Sequence, residues 1–285
     1  MNKFKIFSLA LVASASVAKA QDINQAKKAI DAEQFEKAKS LLKSIIKAKP
    51  SDGEANFVLG NVYLNQSIVD SAKIYYASGL QASDKKNLNY IGLGQIDLDD
   101  KNAAAAQANF GLATKDMKRK DVEEFIYIGR AYINSNNPDY PAAIAVLKRA
   151  LLIEPQNANA LLTIGDAYYG SNNQNDAYKA YRDAFTADPT LLRAKMQLGV
   201  LLKGAKSYDE AIKSFNEVIA INPNYGPVYR ELAETYYKWG RNKTSTAKVN
   251  MQNAITNYEK YLSLTDYSLD SKMRHADFLI LVKDY

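Results

Sequence analysis

The fold is decided by the stretch Ile164-Gly165-Asp166-Ala167-Tyr168-Tyr169, whose pattern of residue sizes returns along the chain. In this pattern an aliphatic residue precedes a small one, and an aromatic residue often follows the small one by three positions. The small position recurs at intervals of 34 to 36 residues, and once after 43, at Gly60, Gly94, Gly129, Gly165, Gly199, Ala233 and Ala276. A fixed period of this length indicates a chain of structural repeats.

Two further series share the period and show what each repeat contains. One series consists of small residues: Ala38, Ala72, Ala106, Ala143, Ala177, Ala211 and Ala254. The other marks the ends of the repeats: Pro50, Asp84, Lys118, Pro155, Pro189, Pro223 and Asp266. Two helices can cross closely only where side chains are small, and Pro cannot continue a helix. Each repeat is therefore predicted to hold two helices, with Gly on the first and Ala on the second.

The pattern resembles the tetratricopeptide repeat family, most clearly in residues 164–169 and in Tyr208-Asp209-Glu210-Ala211-Ile212 and Ala150-Leu151-Leu152-Ile153-Glu154-Pro155. The resemblance implies an all-α fold, a right-handed α-solenoid of about seven helical hairpins followed by one unpaired helix. Its units are predicted at residues 22–52, 53–86, 87–121, 122–157, 158–191, 192–225 and 226–268, with a partial unit at 269–285. In style the chain is similar to periplasmic repeat proteins of Bacteroidota.

The chain departs from the repeat period in its seventh unit and in its partial last unit. The unit at 226–268 holds nine extra residues around Gly240–Lys248, among which the polar stretch Arg241–Thr246 is predicted to be mobile. The partial last unit carries the apolar run Phe278–Val282, although terminal repeats normally have a polar outer face. We expect that the chain is part of a longer protein, or that a partner or a second copy covers this end.

Residues 1–20 are typical of an export signal. Two lysines precede the apolar stretch Ile6–Val12, and Ala18-Lys19-Ala20 predicts cleavage before Gln21. The stretch is shorter than the roughly 20 residues that span a bilayer, and no Cys follows it for lipid attachment. We expect an exported protein, periplasmic or envelope-associated and not lipidated. The alternative is that these residues form a short buried first helix.

Composition excludes several kinds of site. The chain has no Cys and a single His, His275, which removes thiolate chemistry and His-based metal clusters. Beyond residue 20 it carries 34 basic and 31 acidic residues, too mild an excess to indicate a nucleic-acid partner. The acidic group Asp97, Asp99 and Asp100 lacks the Gly and Glu of a calcium loop, so we predict that Asp99 or Asp100 forms a turn and caps a helix. We predict no catalytic residue, metal, cofactor or membrane span.

The resemblance implies that the first helices line a concave surface, and the offset from each small residue predicts which side chains face it. The candidate partner-binding residues are Phe57, Asn61, Leu64, Ile91, Gln95, Ile126, Arg130, Ile133, Leu162, Asp166, Tyr169, Met196, Arg230, Glu234 and Tyr237. The alternative is that the apolar members of this set only complete the packing between hairpins. The family's carboxylate clamp does not carry over, because Phe57 stands where that clamp has Lys.

These features predict a non-enzymatic scaffold that holds another protein or peptide in the groove, in the periplasm or cell envelope. One alternative is a holdase-like factor for envelope assembly, which would grip extended chains. Another is the N-terminal repeat part of a longer envelope protein with a separate effector domain. Self-association through the apolar C-terminal helix is a further expectation.

Overall fold

The computed structural model describes residues 23–118, 120–242 and 244–266, together with residues 273, 275, 276, 279 and 280. The expected export signal at 1–20 lies outside the described residues, as does most of the apolar run Phe278–Val282. Within the described residues the secondary structure is helical, so the predicted all-α fold class is confirmed.

Fourteen α-helices and one short 3-10 helix are described. Their bounds are α1 at 23–31, α2 Phe35–Ala48, α3 Gly53–Asn65, α4 Val69–Gly79, α5 Lys86–Asp99, α6 Ala103–Thr114, α7 Glu123–Asn134, α8 Tyr140–Ile153, α9 Ala158–Gly170, α10 Gln174–Ala187, α11 Leu192–Gly204, α12 Tyr208–Ile221, α13 Gly226–Asn242 and α14 Ala247–Leu264. The 3-10 helix, Thr244–Thr246, precedes α14.

The helices fall into two compact units, one ending at Asp116 and the other beginning at Met117. In the first unit α3 packs on α4 and α5 on α6; in the second, α7, α9, α11 and α13 each pack on the helix that follows. The core lies between such pairs and between neighbouring pairs. One cluster, from α9, α10 and α11, contains Leu162, Ala177, Tyr181, Ala184, Ala194 and Leu201.

Five hairpins are closed by a three-residue turn whose middle residue has a left-handed backbone. These residues are Glu33, Ser67, Lys101, Asn172 and Lys206, with φ between 58° and 63°. The residue after each one donates its N–H to a carbonyl of the preceding helix, as Ile68 does to Tyr63 at 2.9 Å. The turn therefore satisfies the last carbonyls of the first helix and reverses the chain within three residues.

Polar side chains fix the starts of several helices by accepting a backbone N–H of the first turn. These N-caps are Asp52, Asn102, Asp139, Asn157 and Asn173. Asn102 caps α6 with a bond of 3.2 Å from the Ala105 N–H. The predicted turn and capping role of Asp99 or Asp100 is confirmed for Asp100, which is the C-terminal cap of α5 and the first residue of the following turn, whereas α5 continues through Asp99.

The extra residues of the seventh unit mostly extend its two helices. Helix α13 has 17 residues and α14 has 18, whereas α2 to α12 have 11 to 14. Gly240 is buried, and Met251 on α14 is only 2% exposed and lies beside it. Of the stretch Arg241–Thr246, which was expected to be mobile, Arg241 and Asn242 belong to α13 and Thr244–Thr246 form the 3-10 helix; Lys243 is not among the described residues.

Candidate functional site

Each Gly of the period allows a large side chain of the following helix to pass close to the first helix. A Cβ atom on Gly165 would lie 2.6 Å from the ring of Tyr181, which is closer than carbon atoms approach. The same relation links Gly60 with Tyr76, Gly94 with Phe110, Gly129 with Leu147, and Gly199 with Phe215. The spacing of small residues therefore places a ring or Leu side chain against each first helix.

In two hairpins this arrangement brings a tyrosine hydroxyl to the residue directly after the Gly. The Tyr76 hydroxyl donates to Asn61 Oδ1 at 2.7 Å, and the Tyr181 hydroxyl donates to Asp166 Oδ1 at 3.0 Å. Burial of both rings, together with a neighbouring carboxylate in each case, raises the pKa of each phenol far above its usual value. Both hydroxyls are therefore fixed donors at any ordinary pH.

We call the side of the first helices that carries these residues the first-helix face. Its middle row is the set of residues directly after each small position: Asn61, Gln95, Arg130, Asp166, Val200 and Glu234. Asn61 and Gln95 belong to the first compact unit, and the others belong to the second. All except Val200 are polar and partly exposed, as a binding surface requires.

The apolar row, three residues before each small position, is buried. Phe57, Ile91, Ile126, Leu162 and Met196 are exposed by 6% or less. They fill space between helices, which supports the packing alternative for these five, because a side chain enclosed on all sides offers no surface to a partner. Arg230 has the same register on α13 and stays partly exposed.

Two residues of the middle row, both in the second unit, contact the next first helix with the same stagger. Asp166 on α9 pairs with Arg193 on α11 at 2.8 Å and accepts from Gln197 Nε2 at 3.4 Å. Arg193 and Gln197 lie six and two residues before Gly199. Arg130 on α7 reaches the corresponding two places of α9, which are occupied by Asn159 and Thr163. The contacts therefore join the same positions of successive first helices, although the residues at those positions differ in charge.

A buried ion cluster joins α11 to α13. Lys203, which is 7% exposed, donates to Glu231 at 2.6 Å and to Glu234 at 2.7 Å. Burial alone would lower the pKa of Lys203, but the attraction of the two carboxylates outweighs it and raises that pKa. For Glu234 burial acts to raise the pKa, and Lys203 reverses this and holds the pKa below its usual value. Both groups are therefore charged near neutral pH.

The remaining candidate residues lie four positions after the small ones, and their exposure varies. Leu64 is buried, Ile133 and Tyr237 are partly buried, and Tyr169 is 38% exposed. The Arg241 guanidinium lies 5.8 Å from the centre of the Tyr237 ring. The second unit thus presents apolar and aromatic side chains beside its polar middle row.

Sequence reasoning missed the partners that hold the middle row in place. Tyr76 and Tyr181 were not among the candidate residues, and neither were Arg193 and Gln197. A signal for the last two exists in the sequence, because they stand at constant offsets from Gly199 that match those of Asn159 and Thr163 from Gly165. It can be interpreted only once the stagger between first helices is known.

The described residues lack a metal site and a membrane-spanning helix. No group of three or more His, Cys, Asp or Glu side chains is arranged to hold a metal ion. None of the described helices combines the length and apolar character that crossing a bilayer requires.

The repeats match known proteins over most of the chain. A profile of the tetratricopeptide repeat family matches residues 23–86, 128–191 and 162–226. Superkiller protein 3 of Schizosaccharomyces pombe is 29% identical over 123 residues, which are 43% of this chain and 9% of that protein. The Hsp70-Hsp90 organizing protein of Triticum aestivum is 26% identical over 198 residues, which are 64% of this chain and 31% of that protein. The chain thus spans less than a third of either relative.

A solved structure supports the same fold. The crystal structure of a tetratricopeptide repeat protein from Parabacteroides merdae superposes with a TM-score of 0.55 at 14% identity, covering 92% of this chain and 98% of that one. At this level of identity the likeness concerns the fold alone. The family profile, the paired helices and the Gly-to-ring contacts all agree, and the chain therefore belongs to the tetratricopeptide repeat family.

Proposed function

We propose that the chain is a scaffold that binds a polypeptide on its first-helix face, and that the second unit carries the principal contact surface. The observation that carries this proposal is the middle row of α7, α9 and α13. There Arg130, Asp166 and Glu234 are partly exposed, yet each is held in position by a neighbouring side chain. Side chains fixed before binding lose little entropy when a partner arrives.

The chemistry of this face suits a polypeptide. Polar groups in a row can pair with the amides of an extended chain or with its side chains, while apolar groups beside them accept side chains. Tyr169 and Ile133 supply the apolar contact on α9 and α7. The name of the wheat relative, which refers to organizing Hsp70 and Hsp90, supports a role in bringing proteins together. A holdase-like role would use the same face.

Site-specific photocrosslinking in cells tests the face. A photoreactive residue at Tyr169 should capture a polypeptide, while the same residue at Tyr178 on α10 should not. Tyr178 is a matched control, because it is also a tyrosine, is 48% exposed, and lies on a second helix. Capture at Tyr178 with none at Tyr169 would contradict the proposal.

We also propose that the protein is exported to the periplasm or envelope, on the basis of the sequence of residues 1–20. Expression with a C-terminal tag, followed by fractionation and N-terminal sequencing, tests this separately. The expected mature protein begins at Gln21 and lies outside the inner membrane. A cytoplasmic protein that retains Met1 would contradict export without affecting the binding proposal.

A further inference from the structure

A cluster of hydrogen-bond donors lies on α2, α3 and α4, outside the middle row. The ammonium nitrogens of Lys39 and Lys43, on α2, lie 5.6 Å and 5.9 Å from the centre of the Tyr63 ring on α3. That ring stacks on the ring of Tyr75, on α4, with the centres 5.4 Å apart and the planes 7° from parallel. We call these four residues the donor cluster; all of them belong to the first unit.

Lys39 is the anchored cation of the donor cluster. Its side chain is 13% exposed, pairs with Glu36 and donates to Gln66 Oε1 at 3.3 Å. An ammonium group has three N–H donors, so these two partners leave one for a ligand. The charge of Lys39 is therefore balanced within the chain, while a mostly buried side chain holds its remaining donor in place.

Lys43 supplies a charge that the described residues leave unpaired. It is exposed, and no described carboxylate lies within 4 Å of its ammonium group. The pKa of Lys43 is raised chiefly by the hydroxyl of Tyr63, with smaller contributions from Tyr75 and Glu36. The phenols thus stand close to this ammonium group and favour its charged form.

The two phenols add donors of their own. Within the described residues, no carboxylate or carbonyl oxygen accepts a hydrogen bond from Lys43, Tyr63 or Tyr75. A hydroxyl oxygen that faces an ammonium group turns a lone pair towards it, which leaves the hydroxyl proton directed elsewhere. The donor cluster therefore combines N–H and O–H groups that a ligand with several acceptor oxygens can engage.

Another junction of the chain shows that packing of the repeats does not require such a cluster. Among α8, α9 and α10 the same four places of the period hold, in chain order, Ile144, Lys148, Tyr168 and Ala180. Ile144, Tyr168 and Ala180 belong to one apolar cluster there. Since apolar side chains close that junction, the second lysine and the second tyrosine of the donor cluster need an explanation other than packing.

We propose that the donor cluster is a binding site for a phosphate group, either inorganic phosphate or the phosphate of a monoester. A phosphate group carries roughly two negative charges at neutral pH and about three strong acceptor oxygens. Lysine binds it as a point charge, and hydroxyl groups add directional bonds. A carboxylate has two oxygens and would leave part of the donors without an acceptor. The inference goes beyond the proposed function, because it needs no residue of the middle row.

Titration calorimetry of the full chain with inorganic phosphate at neutral pH tests the site. Tyr75→Phe removes one hydroxyl and keeps the stacked ring, and Lys43→Gln removes the unpaired charge. Each change should weaken phosphate binding about tenfold, as expected for the loss of a charge-assisted hydrogen bond. Circular dichroism of both variants should match that of the unmodified chain, so that a loss of binding cannot be attributed to unfolding.

Lys148→Gln is the matched control. Lys148 is an exposed lysine at the place of Lys43 in the period, beside Tyr168, but its junction lacks the other lysine and the other tyrosine. This variant should bind phosphate as the unmodified chain does. A parallel titration with glycerol phosphate separates the two sources: tighter binding of this monoester assigns the site to an esterified phosphate, and weaker binding assigns it to the free ion.

Three outcomes would overturn the inference. They are the absence of phosphate binding by the unmodified chain, an equal loss of binding in Lys148→Gln, and equally effective displacement of phosphate by acetate at the same ionic strength. The last result would show attraction of any anion rather than a phosphate site. None of them would alter the crosslink expected at Tyr169, so the proposed function is tested separately.

Discussion

At the scale of single residues, the glycines of the first helices have a steric rather than a conformational role. None of the described glycines has a positive φ, so backbone freedom does not explain them. What distinguishes Gly165 is the Tyr181 ring, which occupies the place of a Cβ atom. Gly111, on α6, has no atom within 4 Å of that place. The two positions should therefore respond oppositely to the same substitution.

We predict that Gly165→Ala destabilises the protein by about 1–3 kcal/mol, because the added methyl group displaces a buried ring. Gly111→Ala should stabilise it by about 0.5–1 kcal/mol, because Ala is the better residue within a helix and meets no obstacle. Urea unfolding followed by circular dichroism measures both changes. Equal effects of the two substitutions would contradict the steric role and leave helix propensity as the explanation for both glycines.

At the scale of elements, the sequence predicted the helices because three series of residues mark the crossings and the ends of each pair. It did not predict the turns, since Glu33, Ser67, Lys101 and Lys206 are not the residues that usually adopt a left-handed backbone. Nor could it decide whether the apolar row is exposed, because an offset along one helix does not show how closely the next repeat covers it. The ion cluster at Lys203 could not be predicted from the sequence, for the same reason.

The turns themselves give the second prediction. Lys206→Gly should stabilise the protein by about 0.5–1 kcal/mol, because Gly adopts φ near 63° without the steric cost that a Cβ atom imposes. Asn172→Gly is the control and should give a smaller gain, since Asn tolerates this backbone better than Lys. Thermal unfolding compares the two variants. A loss of stability in Lys206→Gly would mean that the flexibility of Gly in the unfolded chain dominates.

The stability contributed by the ion cluster between α11 and α13 should depend on pH. The pKa of Glu234 is lowered on folding, so its contribution is present above the pKa of an unfolded Glu and is lost as pH falls through the folded value. The pKa of Lys203 is raised, so its contribution is present below the pKa of an unfolded Lys and is lost as pH rises through the folded value. The cluster should therefore stabilise the protein across the neutral range.

We predict that Lys203→Met costs about 3 kcal/mol at pH 7, because it removes the buried cation that pairs with both Glu231 and Glu234. The cost should shrink towards pH 4, where the contribution of Glu234 begins to be lost. Lys195→Met is the control; its partner Glu217 is 46% exposed, so the change should cost less than about 1 kcal/mol. Urea midpoints at both pH values measure this, and a cost for Lys203→Met that does not depend on pH would contradict the assignment.

At the scale of the whole molecule, each repeat should be stabilised mainly by the repeats next to it. The helix pairs with substantial contact are neighbours in sequence or one helix apart, such as α7 with α9 and α11 with α13. In such a chain each repeat is stabilised only by those beside it, so one part can unfold while the rest stays folded.

We predict that urea unfolding is graded. Hydrogen exchange should show α9 to α11, which share one buried cluster, opening at higher urea than α1. The urea dependence of the free energy should be shallower than a cooperative domain of this size would show. A single midpoint shared by all helices, with the full slope, would mean that the repeats unfold as one body; a graded profile would mean that the buried cluster of α9 to α11 remains formed while α1 opens.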